Sequence, residues 1–241
     1  MDSERSTVII FGSSGAIGQA LVQTYLDENW NVISVSRQEL EFTEVPVESF
    51  HHVSWGHSES PDLLLSLIPN NVTAIVWAQG SNCADEIGNF DEATFRTVFD
   101  ANVTYVLNTL HQLLSATKLL PPCRLVVISS IWQEISRNKK LAYSVSKSAL
   151  RGLVQSVAAD IGPEGHLINA ILPGVLDTPM TRAALSFDQI AMVTAQTPIK
   201  RLAAVQDVCS LAYFLTSNAN NGITGQFIRV DGGFSDIRFF Q

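Results

Sequence analysis

The sequence predicts an α/β domain built on a doubly wound parallel sheet. Three observations carry this. Short apolar β-branched runs alternate with segments of helical periodicity along the whole chain. A glycine cluster separates the first such run from the first helix. The run "RLVVISS" at 124–130 is almost wholly apolar, as a central strand covered on both faces must be.

The elements follow in order. "TVIIF" at 7–11 is the first strand, and Ile17, Leu21, Val22 and Leu26 mark the helix after it. "NVISVS" at 31–36 is the second strand. Only about ten residues then precede an expected strand at 49–53, so the second crossover is read as shortened or without its helix. "DLLLSLI" at 62–68 reads as a helix, and "TAIVWAQG" at 73–80 as a strand ending in a polar turn. Residues 91–120 read as one long, mostly helical segment ended by Pro121 and Pro122. A helix is expected from Ala142 to Ile161, a strand at 166–172 stopped by Pro173 and Gly174, a helix at 210–217, and a last strand with its turn at 225–233. No linker, repeat or low-complexity segment divides the chain, so residues 1–241 are read as a single domain.

Composition narrows the function. The chain is 46% hydrophobic and 16% charged, the balance of a folded domain rather than a disordered one. A formal net charge of −8 argues against nucleic acid as a partner. Cys83, Cys123 and Cys209 are odd in number and lack metal-ligand spacing, so free thiols in a reducing compartment are expected. His51, His52, His57 and Asp62 follow no metal-site pattern, and no metal is expected. Neither a signal peptide nor a membrane-spanning run is seen, which leads to an expected cytoplasmic location.

"FGSSGAIG" places Gly12, Gly15 and Gly18 between strand and helix. Such a turn needs a tight bend, a backbone that a pyrophosphate can approach, and close helix–strand packing, with helix-start amides facing the phosphates. The domain is on this ground Rossmann-like. Arg37 ends the second strand, where an acidic residue would bind ribose hydroxyls and repel a 2′-phosphate. An arginine does the opposite, and Ser13 could donate to the same group. The cofactor expected is therefore NADP(H), by preference over NAD(H) rather than to its exclusion.

Tyr143 and Lys147 lie four apart on one helix face. An ammonium beside a phenol favours the phenolate, which predicts a tyrosine pKa below its usual value of about 10. Ser130, at the end of a buried strand, could hydrogen-bond the oxygen that this tyrosine protonates. By spacing alone, a Tyr/Lys helix pair is common, and an ordinary surface pair is the favoured reading.

Together with Asn102 and "PGVLDTPM", these residues occur in the order of the short-chain dehydrogenase/reductase family, which the chain resembles from Thr7 to Gly233. "VVISS", "YSVSKSAL", "INAILPG" and "GQFIRVDGG" carry the resemblance. It implies that Tyr143 is the general acid or base, that Lys147 binds the nicotinamide ribose and lowers the tyrosine pKa, and that Ser130 positions the substrate oxygen. It further implies that Asn102 holds a relay water, that Pro173, Gly174 and Val175 turn beside the nicotinamide, and that Thr178 contacts its carboxamide. The dinucleotide set is completed by Gly12, Ser13, Ser14, Gly15, Ile17, Gly18, Arg37 and Gly80. The implied reaction interconverts a ketone and a secondary alcohol; the alternative is a catalytically silent dinucleotide-binding or regulatory protein of the same fold. The family also implies a homodimer or homotetramer through the helices at 91–120 and 142–161.

Departures from the family pattern fall on the cofactor side. Ala16 stands at the middle-glycine position, "WAQG" replaces Asn-Asn-Ala-Gly, and His52 is read at the place of an adenine-binding aspartate. "SRNKK" at 136–140 is read as a solvated loop rather than an anion site, though it falls beside the substrate mouth. Trp132 and Gln133 are the candidates for substrate contact. The apolar segment Met180–Thr197 is read either as a substrate lid or as core.

Overall fold

The computed structural model describes residues 5–38, 48–56 and 59–237. Seven parallel strands form one sheet in the order β3-β2-β1-β4-β5-β6-β7. In sequence the elements are β1 (Thr7–Phe11), α1 (Ala16–Asp27), β2 (Asn31–Ser36), β3 (Phe50–Ser54), α2 (Pro61–Leu67), β4 (Val72–Trp77), α3 (Glu92–Phe99), α4 (Tyr105–Ser115), β5 (Leu119–Ile128), α5 (Leu141–Ile161), β6 (Leu167–Pro173), α6 (Pro179–Ala184), α7 (Phe187–Gln196), α8 (Val205–Thr216) and β7 (Phe227–Val230).

Strand alternation divides the core in two. On one face Ile9 and Phe11 of β1 pack with Val106, Leu110 and Leu113 of α4 and Leu150, Leu153 and Val154 of α5. On the other, Val8 and Ile10 pack with Leu21, Val22 and Tyr25 of α1 and Val208, Ala212 and Leu215 of α8. Tyr25 is fully buried, and its hydroxyl is satisfied by Thr216 Oγ1 at 2.6 Å, which ties α1 to α8. Among the described residues no helix is long and apolar enough to cross a membrane.

The order reverses between β1 and β4, and the carboxyl ends of strands beside such a reversal form the binding crevice of this architecture. Gly12, Arg37, Trp55, Ala78, Ser129 and Gly174 each lie directly after a strand on that edge.

Two expectations change. The single helix at 91–120 is instead α3, a π-helical segment Asp100–Thr104, and α4, which ends at Ser115. Thr117 takes a positive φ of 51° just beyond. Pro121 and Pro122 therefore do not stop the helix. They lie in the exposed beginning of β5, where β4–β5 pairing is irregular between Val72 and Ala74, and a missing N–H there breaks no regular ladder. The expected shortened crossover falls mostly on residues 39–47, outside the described residues, although β3 pairs with β2 in the order it requires.

Candidate active site

The glycine turn is built by close approach. Gly12 has φ +76°, and a Cβ on it would lie 2.4 Å from the backbone nitrogen of Gln79. A Cβ on Gly18 would lie 2.2 Å from the Gly12 carbonyl oxygen. Gly15 is different: its backbone is extended and its Cβ position meets only the Gly12 oxygen at 3.5 Å. It is the N-cap of α1, with no side-chain cap and no acidic residue in the first turn, so the helix-start amides and dipole face outward unneutralised. Ala16 begins α1 without disturbing this, and Ile17 packs into the core beneath.

A cavity of about 530 Å³ opens over this turn. Gly12, Ser14, Gly15, Arg37, Gln79 and Gly80 line it together with Trp55, Thr97, Asp100, Ala101 and Tyr105. A glycine that leaves no room for a side chain, an uncapped helix start and an arginine beside a cavity of this size fit a dinucleotide.

Two residues expected here are placed otherwise. Ser13 is fully buried and its Oγ accepts from Ser34 Oγ at 2.7 Å, so its hydroxyl does not face the cavity; Ser14 does. His52 lies within β3, its ring bonded to Ser34 Oγ at 3.0 Å and to the Gln38 carbonyl at 3.0 Å. The residue at the strand end is Trp55, almost wholly buried, with Nε1 donating to the Ser60 carbonyl at 3.1 Å. Trp55 and Tyr105 have ring centroids 5.8 Å apart, and burial raises the Tyr105 phenol against the opposing Arg37 charge. Both aromatic residues escaped sequence reasoning, although the strand-end rule that found Arg37 also points to Trp55.

The second group of residues adjoins the cavity at Gly80. A Cβ there would lie 3.1 Å from Asn102 Oδ1 and 3.7 Å from Lys147 Nζ. Asn102, buried in the π-helical segment, clasps Ser81: its Oδ1 accepts from the Ser81 amide at 2.8 Å and its Nδ2 donates to the Ser81 carbonyl at 3.0 Å. The same Nδ2 donates to Ser146 Oγ on α5 at 2.8 Å. Lys147 is buried, and its Nζ donates to the Ile128 carbonyl at 3.0 Å and stands 5.7 Å from the Tyr143 ring centroid. Ser130 lies two residues beyond β5, where its Oγ accepts from the Trp132 amide at 3.3 Å and caps the 3-10 turn Ile131–Gln133. Asp85, far away in sequence, holds the start of α5 by accepting from the Ala142 amide at 2.9 Å.

Burial decides the electrostatics. It lowers Lys147 to about 8 and raises the Tyr143 phenol above its usual value, with Ser130 opposing the rise. The lowered tyrosine pKa expected from the i, i+4 spacing is thus reversed in the protein alone. Desolvation outweighs the ammonium, which is itself disfavoured by the same burial.

Pro173 ends β6 and Gly174 and Val175 follow it, and a Cβ on Gly174 would lie 2.7 Å from Asp231 Cβ. Thr178 caps α6, its Oγ1 accepting from the Thr181 amide at 3.1 Å. In α7, Phe187 and Met192 are 84% and 60% exposed and no residue is buried, so this part of the 180–197 segment is not core.

The chain has relatives. A family model described as enoyl-(acyl carrier protein) reductase matches residues 70–235. The uncharacterized oxidoreductase YmfI of Bacillus subtilis is 27% identical over 95% of this chain and 98% of its own length. The 3-oxoacyl-[acyl-carrier-protein] reductase FabG of Salmonella typhimurium is 24% identical over 97% and 98%. A solved gluconate 5-dehydrogenase from Burkholderia cenocepacia, in complex with NADP and tartrate, superposes with a TM-score of 0.85 at 20% identity, covering 98% of this chain and 97% of that one.

Proposed function

Because the chain belongs to the short-chain dehydrogenase/reductase family and is an oxidoreductase, we propose that it uses NADP(H) to interconvert a ketone and a secondary alcohol, with Tyr143 as proton donor in the reducing direction. The observation that carries this reading is that Lys147 Nζ stands 5.7 Å from the Tyr143 ring centroid and beside Gly80, a residue of the cavity lining.

Bound in that cavity, NADPH supplies the hydride. The residues do the rest. The helix-start amides at Gly15 and the Ser14 hydroxyl hold the pyrophosphate, and Arg37 holds the 2′-phosphate. The protein is read with a neutral phenol on Tyr143 at pH 7, the form that can donate a proton to a carbonyl oxygen. Ser130 Oγ orients that oxygen and supports the negative charge that develops on it. With its value near 8, Lys147 is mostly an ammonium at neutral pH, which favours the phenolate left behind. Asn102, whose Oδ1 stands beside Gly80 as Lys147 Nζ does, is assigned the water through which the proton is replaced. Pro173 at the end of β6, with Gly174, Val175 and Thr178 after it, is assigned to the nicotinamide end.

Replacing Tyr143 with Phe tests the reading. Turnover with NADPH and a panel of ketones should fall by ~10²–10⁴-fold while NADPH binding, read by titration calorimetry, persists. A variant as active as the wild type would refute it. Binding without turnover of any ketone by the wild type would favour the silent protein instead.

A further inference from the structure

Between Ser130 and Tyr143 the chain carries Arg137, Lys139 and Lys140, in a protein whose formal net charge is −8. Two of these cations lie on the aromatic rings of the site. Lys140 Nζ stands 5.5 Å from the Tyr143 ring centroid, and the Arg137 guanidinium 5.7 Å from that of Trp132. Tyr143 thus lies within reach of two ammonium groups. Lys147 is buried and spoken for by the Ile128 carbonyl, but Lys140 is only half-buried.

Lys140 is also fastened. Its Nζ donates to Asn82 Oδ1 at 2.6 Å, and Asn82 follows the Ser81 peptide that Asn102 clasps. The ammonium therefore bridges the loop after β4 and the segment before α5 while standing 5.5 Å from the Tyr143 ring centroid. An ammonium has three donors, so Asn82 leaves two. The nearby acids are largely committed elsewhere. Asp85 accepts from the Ala142 amide with both carboxylate oxygens, and Glu134 pairs with Arg229 and with Arg151 at 3.6 Å. Partial burial and the Arg137 charge both disfavour the Lys140 ammonium, while Asp85 and Cys83 favour it less strongly. A cation in that condition gains more from an anionic partner than a solvated one does.

We propose that Lys140, assisted by Arg137, binds an anionic group of the substrate, so that the ketone reduced at Tyr143 carries a carboxylate or a phosphate. This rests on the reading of Tyr143 as proton donor. It also gives "SRNKK" a task that a solvated loop lacks, and it makes Lys140 a specificity residue rather than a participant in proton transfer.

Matched substrates test it. Acetoacetate is compared with ethyl acetoacetate, and dihydroxyacetone phosphate with dihydroxyacetone, all with NADPH. The wild type should prefer the charged member of at least one pair by on the order of 10-fold in kcat/KM, mainly through KM, as one partly exposed charge-assisted contact allows. Which pair shows the preference tells carboxylate from phosphate. Lys140→Gln should bring that ratio close to one, and Lys140→Arg should restore most of it. Added salt should lower the wild-type ratio. Equal use of charged and neutral ketones, or a ratio that survives Lys140→Gln, overturns the proposal and leaves the Tyr143 reading standing. Full activity of Tyr143→Phe, or no turnover of any of the four ketones, counts against both.

Discussion

Gly12 and Gly15 sit three residues apart in the same turn, yet alanine should act on them in opposite ways. At Gly12 the backbone has φ +76°, a region that costs an L-residue about 1–2 kcal/mol. The added Cβ would also lie 2.4 Å from Gln79 N and 2.5 Å from Gln79 Cα. Those are backbone atoms at the end of β4, so relief requires moving the chain rather than turning a side chain. Forced overpacking of this kind costs ~1–3 kcal/mol more. The sum, roughly 2–5 kcal/mol, is a large share of the 5–15 kcal/mol that holds a domain together. At Gly15 the conformation is open to any residue and the Cβ meets only one atom at 3.5 Å, so Gly15→Ala should change stability by less than about 1 kcal/mol. Urea unfolding followed by circular dichroism measures both. The expected result is a large fall in midpoint at unchanged slope for Gly12→Ala and little change for Gly15→Ala. A Gly12→Ala protein as stable as the wild type would show that the turn is not held against β4 as described.

Further outcomes are expected. Arg37→Ala should weaken NADPH by on the order of 10-fold or more and leave NADH nearly unaffected; equal losses by calorimetric titration would remove Arg37 from the 2′-phosphate. Burial lowers Lys147 from its ordinary 10.5 to about 8, so the unfolded chain binds the extra proton between those values and this residue's contribution to stability rises with pH from about 8 to 10.5. Below about 8 the buried ammonium is a net cost. Lys147→Met should therefore be inactive yet about 1–3 kcal/mol more stable at pH 7, the gain shrinking toward pH 10; a variant less stable than the wild type at pH 7 would refute this. His166 is buried with Nδ1 accepting from the Cys123 amide at 3.0 Å, and burial holds its pKa below 6.5. Its contribution is complete above about pH 6.5 and is lost as pH falls through the lower folded value, a loss that His166→Gln should not share in acid unfolding curves. Sedimentation at micromolar concentration should show a dimer or tetramer, and a monomer with full activity would refute the association expected through the helices at 91–120 and 142–161.

What could be read without coordinates was whatever has a period or an edge. The strands at 7–11 and 31–36 are found where the β-branched runs lie, because a strand covered on both faces needs nothing but apolar residues. The helix that carries Tyr143 and Lys147 is equally plain, since i, i+4 spacing puts both on one face. Interruptions were harder. The π-helical segment has no separate signature in "DANVT", and the Pro-Pro pair reads as a helix stop unless its partner strand is known to be irregular there. Contacts between distant segments were invisible in principle: Asp85 on the start of α5, Asn102 on Ser81, and Trp55 beside Tyr105 depend on which loops the sheet order brings together. Charge balance misled in one respect. The i, i+4 rule supplies the sign of the Lys147 effect on Tyr143, but the size of the opposing desolvation follows from burial, which no spacing reveals.

The five residues Asp100–Thr104 interrupt what would otherwise be a single long rod. A π turn accommodates one residue more than an α turn, so the halves on either side need not share a common phase. α3 buries only Val98 and leaves most of its surface outside, whereas α4 lays Val106, Thr109, Leu110 and Leu113 against the sheet as an unbroken stripe. The extra residue acts as a differential between two gears. It lets one half follow the sheet and the other the surface while the amide of Asn102 is carried inward at the joint. Removing one residue from this segment would not merely shorten it. It would lock the two halves into one rotation, so that either the stripe or Asn102 would have to face the wrong way.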